Sequence, residues 1–154
     1  MDSLRLDAVD PDDLAILSAH CQDAVVRLKD CSYSPKGQSF DLLMNRFVWE
    51  KAEARSRFSL LRRREYERRR AGLHFARVRG VQRTGIDLGA TDQVLSLLTI
   101  RFDPGDLPSG WIELVFAGGS AIRLDVECVE ARLTDLGAAW STTARPDHER
   151  PDNR

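Results

Sequence analysis

A chain of 154 residues with 42% hydrophobic and 31% charged residues has enough apolar material for one ordinary globular domain and too much to be disordered throughout. Its net charge of −1 excludes a global electrostatic attraction to nucleic acid or membrane, so only local clustering of charge could create one. The three cysteines, Cys21, Cys31 and Cys128, are odd in number and form no CxxC pair, which argues against a disulfide framework and for a reducing compartment. The first residues lack the basic start and apolar run of a signal peptide, and no segment approaches the roughly 20 apolar residues of a membrane span. A cytoplasmic protein with no membrane partner is expected.

Asp10-Pro11-Asp12-Asp13 starts a helix: Asp10 can cap, proline suits the first helical position, and acids favour the positive helix end. Leu14, Leu17 and Cys21 share one face, which predicts a helix over about residues 11–20. Asp23 to Leu28 is β-rich, and Asp30 to Tyr33 continues it after a kink. Ser34 to Ser39 is a turn by composition. Phe40 to Trp49 reads as a strand with Phe40, Leu42 and Met44 on one face. Phe47 and Trp49 break that phase, which suggests a bulge or burial on both faces.

Leu73 to Val81 resumes β character, with Leu73 and Phe75 on one face. Gly85 to Asp92 is turn-like. Val94 to Phe102 is the most apolar strand candidate and is expected at the centre of the sheet. Asp103 to Gly110 is a loop. Trp111–Ala117 and Ala121–Cys128 flank Gly118-Gly119-Ser120 and form a β-hairpin, because the glycine pair permits positive φ. In the second run Ile122, Leu124, Val126 and Cys128 face inward. Val129, Leu133 and Leu136 have helical spacing and Gly137 can end a helix there. Ser141 to Arg154 has almost nothing apolar and is expected to be a disordered tail.

The expected fold is α+β, mainly β: an antiparallel sheet of about six or seven strands, with a short N-terminal and a short C-terminal helix. The sheet curls as a sandwich or a half-open barrel, and residues 1–140 form one domain. Several stretches support a resemblance. They are His20 to Val26, Asn45 to Glu50, Arg68 to Ala71, Gly85-Ile86-Asp87, Ile112 to Gly119, Ile122 to Leu124 and Glu127 to Leu133. Together they resemble a bacterial family known as domain of unknown function 2948, over nearly the whole chain except the tail. The resemblance implies no activity, cofactor or catalytic residue.

The segment from Glu50 to Ala71 stands apart. It holds nine positive residues, eight of them arginine, against four negative ones, a surplus of five that leaves −6 for the rest of the chain. Arginine suits phosphate and stacking, and Phe58 and Tyr66 interleave with the charges. Arg62, Arg63, Arg64, Arg68, Arg69 and Arg70 are therefore the candidate anion or partner-binding residues. An acidic protein or nucleic acid would contact residues 51–70. The plainer alternative, which charge runs usually follow, is a solvated segment whose arginines pair with the acidic body.

Other chemistry is weaker. His20, Cys21, Cys31, His74 and Cys128 lack the paired spacing of a zinc site. No nucleophile elbow is present, and His148 lies in the tail. Asp125 and Glu127 share the solvent face of one strand, as ordinary strand acids do. Gly118-Gly119-Ser120 has no following helix to cradle phosphate. No metal, cofactor or catalytic set is expected. A non-catalytic binding or interaction module is the first expectation. The alternative is a small enzyme with a sheet pocket lined by His74, Asn45 and Arg46.

Overall fold

The computed structural model describes residues 3–48 and 67–141. The helix forms where the sequence starts it: α1 runs Pro11–His20, and the Asp10 carboxylate accepts from the Asp13 N–H at 2.8 Å. Such a cap contributes about 1 kcal/mol. Leu14 and Leu17 are buried beneath it. Ser18 joins them because its Oγ accepts from the Ile100 N–H at 2.9 Å, fastening the helix to the sheet.

The described residues also form nine strands. In chain order they are β1 Arg5–Ala8, β2 Val25–Ser34, β3 Ser39–Phe47, β4 Glu67–Phe75, β5 Val78–Thr84, β6 Val94–Pro104, β7 Gly110–Phe116, β8 Ala121–Val126 and β9 Ala131–Ser141. Of these, β6 and β1 pack most against the helix. The strands form one antiparallel sheet in the order β1-β9-β4-β3-β2-β6-β7-β8-β5, with β1 and β5 at its open ends. The sheet is therefore not closed into a barrel.

Its ladders are interrupted by register breaks. Pairing shifts between Val26 and Cys31, between Leu97 and Thr99, between Val78 and Gly80, and between Arg68 and Arg70. Each extra residue bends its strand and raises the local twist. β6 lies in the interior, as its apolar sequence suggests. Its first residues pair with β2 and the rest with β7. One continuous apolar cluster lines the inner face, from Leu14 and Leu17 through Phe40, Leu42, Leu73 and Phe75 to Ile112, Leu114, Ile122 and Leu124.

The hairpin forms as expected. Ile112 pairs with Leu124 and Leu114 with Ile122, and Gly118 and Gly119 turn at φ +88 and +90. Ile122, Leu124 and Val126 are buried, but Cys128 lies past the strand and is only half-buried.

Three expectations need correction. The sheet has nine strands rather than six or seven, because β1 pairs with β9 and β5 separates from β4 at Arg77. Among the described residues there is no C-terminal helix. Val129 to Leu136 leads into strand β9, where Ala131, Leu133 and Asp135 alternate inward and Leu136 is exposed. Gly137 takes φ +75 opposite the break between Arg68 and Arg70, so it serves a bulge rather than a helix end. Finally, β3 keeps its phase to the end: Arg46, not Phe47, takes the next inward position after Met44. Trp49, Arg62, Arg63, Arg64 and the tail from 142 onward lie outside the described residues.

Leu124 has no exposed surface. Leu124→Asp places a carboxylate in the core and should abolish cooperative unfolding, read as loss of the sigmoidal circular-dichroism melt.

Candidate functional site

Side-chain parity along β4 decides what the arginines can do. Successive residues point to opposite faces. Arg69, Ala71, Leu73 and Phe75 go inward, while Arg68, Arg70, Gly72 and His74 go outward. Arg68, Arg69 and Arg70 therefore do not share one surface.

On the inner face, Arg69 lies beside Arg46 of β3, its register partner. Both converge on Asp135 of β9. Arg46 grips that carboxylate with two bonds, Nε to Oδ1 at 2.9 Å and Nη2 to Oδ2 at 3.0 Å. Arg69 Nη1 lies 3.6 Å from Oδ2. The Leu4 N–H donates to the same oxygen at 2.9 Å. The Arg46 and Asp135 side chains have no exposed surface, so this is a structural centre rather than a ligand site. Cys21 abuts it. Burial pushes its thiol up to about 12, with the Arg46 charge opposing and the Asp135 charge assisting. Such a thiol is inert at neutral pH.

On the outer face, Arg68 lays its guanidinium over the Phe47 ring, 4.4 Å from the centroid. Arg70 lies 4.0 Å from Asp30 and is half exposed. The other candidates find partners too. Asp125 accepts from Arg79 at 2.9 Å, and Glu127 lies 3.8 Å from Arg77. His20 Nδ1 lies 3.0 Å from the Ile16 carbonyl, and Cys31 donates to the Arg27 carbonyl. Burial raises the Cys31 thiol to about 11. Among the described residues no group of three or more histidines, cysteines or acids could hold a metal ion.

A row of outward residues crosses the sheet: Ser32 of β2, Asp41 of β3, His74 of β4, Arg132 of β9 and Asp7 of β1. The His74 Nδ1–H donates to Asp41 Oδ1 at 2.6 Å. Arg132 Nε donates to Asp7 Oδ1 at 2.7 Å, and this bond holds the Asp7 carboxyl below its usual range. One step along the strands, Leu43, Gly72 and Thr134 form a second row. A groove of about 240 Å³ opens there, between Asp30, Ser32 and Asp41 on one side and Arg132 and Thr134 on the other.

The groove exists because residue 72 has no side chain. Gly72 sits in mid-strand at an ordinary φ. A Cβ added to it would meet only Leu136 at 3.7 Å and Leu43 at 3.9 Å, normal contact distances. Neither backbone geometry nor crowding calls for glycine, which costs a strand roughly 0.5–1 kcal/mol relative to alanine. A glycine in such a position often marks close approach of a ligand or another backbone. Sequence inspection missed the groove because its residues come from four strands. His74 was its one member singled out in advance. Asn45 lies on the same face outside the groove, and Arg46 is buried on the other.

Fold and groove together define a mainly β protein with an open antiparallel sheet and a shallow outer-face depression. The sequence matches the family described as "Protein of unknown function (DUF2948)" over residues 4–148, and the chain belongs to that family. No curated protein and no solved structure matches it. Among the described residues no helix is long and apolar enough to cross a membrane.

Asp135→Asn would leave two buried guanidinium groups without their counter-charge. Breaking a buried pair this way costs about 3–5 kcal/mol. Urea denaturation should show a loss of that size, whereas Asp125→Asn, on an exposed pair, should cost less than about 1 kcal/mol.

Proposed function

We propose that the protein is a non-catalytic binding module whose ligand sits on the outer face of β2, β3, β4 and β9. The observation that carries this reading is the groove over Gly72, open at a strand position where a side chain would fit. The order of residues across the sheet weighs against an enzyme. Asp41 stands between Ser32 and His74. A hydroxyl nucleophile needs the histidine beside it and the acid beyond. Here Ser32 and His74 are two strands apart, about 9–10 Å at the usual spacing.

A fragment-sized compound set screened by ligand-observed NMR tests the reading. Compounds should bind the wild type and fail on Gly72→Val, whose branched side chain fills the groove and favours a strand. The variant should melt no lower than the wild type. If no compound distinguishes the two proteins, the groove is not a binding site.

The surplus of five positive charges in residues 50–71 favours a second reading, in which an acidic partner contacts the arginine-rich segment. Arg68 and Arg70 are its outward members within β4, and opening the 4.0 Å contact to Asp30 would free Arg70. Exposed ion pairs contribute little, so that release is cheap. Under this reading the wild type binds single-stranded RNA with a salt slope of about −0.7 per phosphate contact. Reversing Arg68 and Arg70 to glutamate should abolish the binding with little change in melting. No wild-type binding at low salt would end the nucleic-acid version.

A further inference from the structure

We propose that the groove over Gly72 takes a free α-amino acid with an aliphatic side chain, bound as its zwitterion. This rests on the binding-module reading and names its ligand class.

The argument is charge segregation. The β2 and β3 side of the groove carries Asp30, Asp41 and the Ser32 hydroxyl. The β9 side carries Arg132 and the Thr134 hydroxyl. His74 stands between Asp41 and Arg132 in one row, and the bare backbone at Gly72 stands between Leu43 and Thr134 in the next. β3 and β9 flank β4 on its two sides, so the acidic and basic walls are two strand spacings apart, roughly 10 Å. That backbone spacing leaves room for a small ligand with an ammonium toward β3 and a carboxylate toward β9, each able to make a charge-assisted hydrogen bond. The aliphatic side chain then rests on Leu43 in the space Gly72 leaves.

The ion pairs already present orient these groups without consuming them. Asp41 meets His74 through Oδ1, and among the described residues Oδ2 has no partner. Arg132 meets Asp7 through Nε, and its two terminal nitrogens have no partner there. The free atoms are those an ammonium and a carboxylate would use. Holding them in place beforehand lowers the entropic cost of binding.

Other ligands fit less well. A polyanion would meet Asp30 and Asp41. A simple amine would leave the terminal nitrogens of Arg132 unused, and a simple carboxylate would leave Oδ2 of Asp41 unused. An uncharged apolar molecule would desolvate both walls without return. A volume of about 240 Å³ falls below the 300–1,000 Å³ common for drug-sized ligands.

Calorimetric titration with leucine, 4-methylpentanoate and 3-methylbutylamine tests the proposal, the last two being leucine stripped of one charge each. Leucine should bind, and each analogue should bind at least tenfold more weakly. Gly72→Val should abolish leucine binding. The exposed substitutions Asp41→Asn and Arg132→Gln should each weaken it at least tenfold while circular-dichroism melts stay close to wild type. Leucine binding that survives all three substitutions would place the site elsewhere and overturn the proposal. Failure of leucine while other fragments still bind wild type and not Gly72→Val would overturn the zwitterion inference and leave the binding-module reading standing. Failure of every compound would sink both.

Discussion

Asp135 carries a carboxylate with no exposed surface into the interior, and the sheet is organised around satisfying it. Its two oxygens receive Nε and Nη2 of Arg46 and the N–H of Leu4. Leu4, just before β1, and strands β3 and β9 therefore meet at one side chain, and Arg69 of β4 adds a fourth contact. Apolar contacts alone tolerate sliding, because one methyl group can replace another. A bidentate guanidinium–carboxylate pair does not, because its hydrogen bonds have a fixed geometry. In this end of the sheet the ion pair specifies register, and the apolar cluster beyond it supplies most of the burial.

Register matters here because the two faces of β4 have opposite chemistry. A shift of one residue exchanges the faces of a strand. In β4 that would bring His74, Gly72 and Arg70 inside and expose Phe75, Leu73 and Ala71. The same logic holds for β9, where Leu133 and Asp135 face inward while Arg132 and Thr134 line the groove. The outer groove thus depends on a bond made on the inner face. Asp135 touches no group in the groove, yet it fixes which β9 residues stand opposite His74 and Gly72.

Much of the fold was legible where one residue type dictates one conformation. The Asp-Pro helix start and the glycine-pair turn each rest on a local rule, and both formed as expected. The strand β9 was misread because Val129, Leu133 and Leu136 happen to fall at helical intervals. Its true alternation runs through Ala131, Leu133 and Asp135, a small residue and a charged one among them, so hydrophobicity does not mark it. Arg46 misled in the same way. It sits where the inward pattern of Phe40, Leu42 and Met44 asks for an apolar residue, and its partner is 89 residues away. A charged residue in an inward position can be recognised from sequence only once its counter-charge is known. The groove was harder still, since it is defined by an absent side chain at Gly72 and by pairing among four strands.

The arginine run shows how composition and surface charge part company. As a string, Arg68-Arg69-Arg70 looks like one basic patch. As a strand, it is three separate environments: a ring stacked on, a buried carboxylate approached, and an outward guanidinium near Asp30. Arg69 offers nothing to a partner because it is committed to Asp135 and buried. Arg68 is held flat by Phe47 and retains a cationic edge. Arg70 alone of the three is both outward and weakly engaged. A charge count over a segment therefore overstates what a β-strand can present, since alternation sends every other side chain to the far face. Whatever meets the outer face near Arg70 meets a mixed surface, with acids on β2 and β3 and bases on β4 and β9. Such a surface favours a ligand that carries both signs over one that carries a single sign.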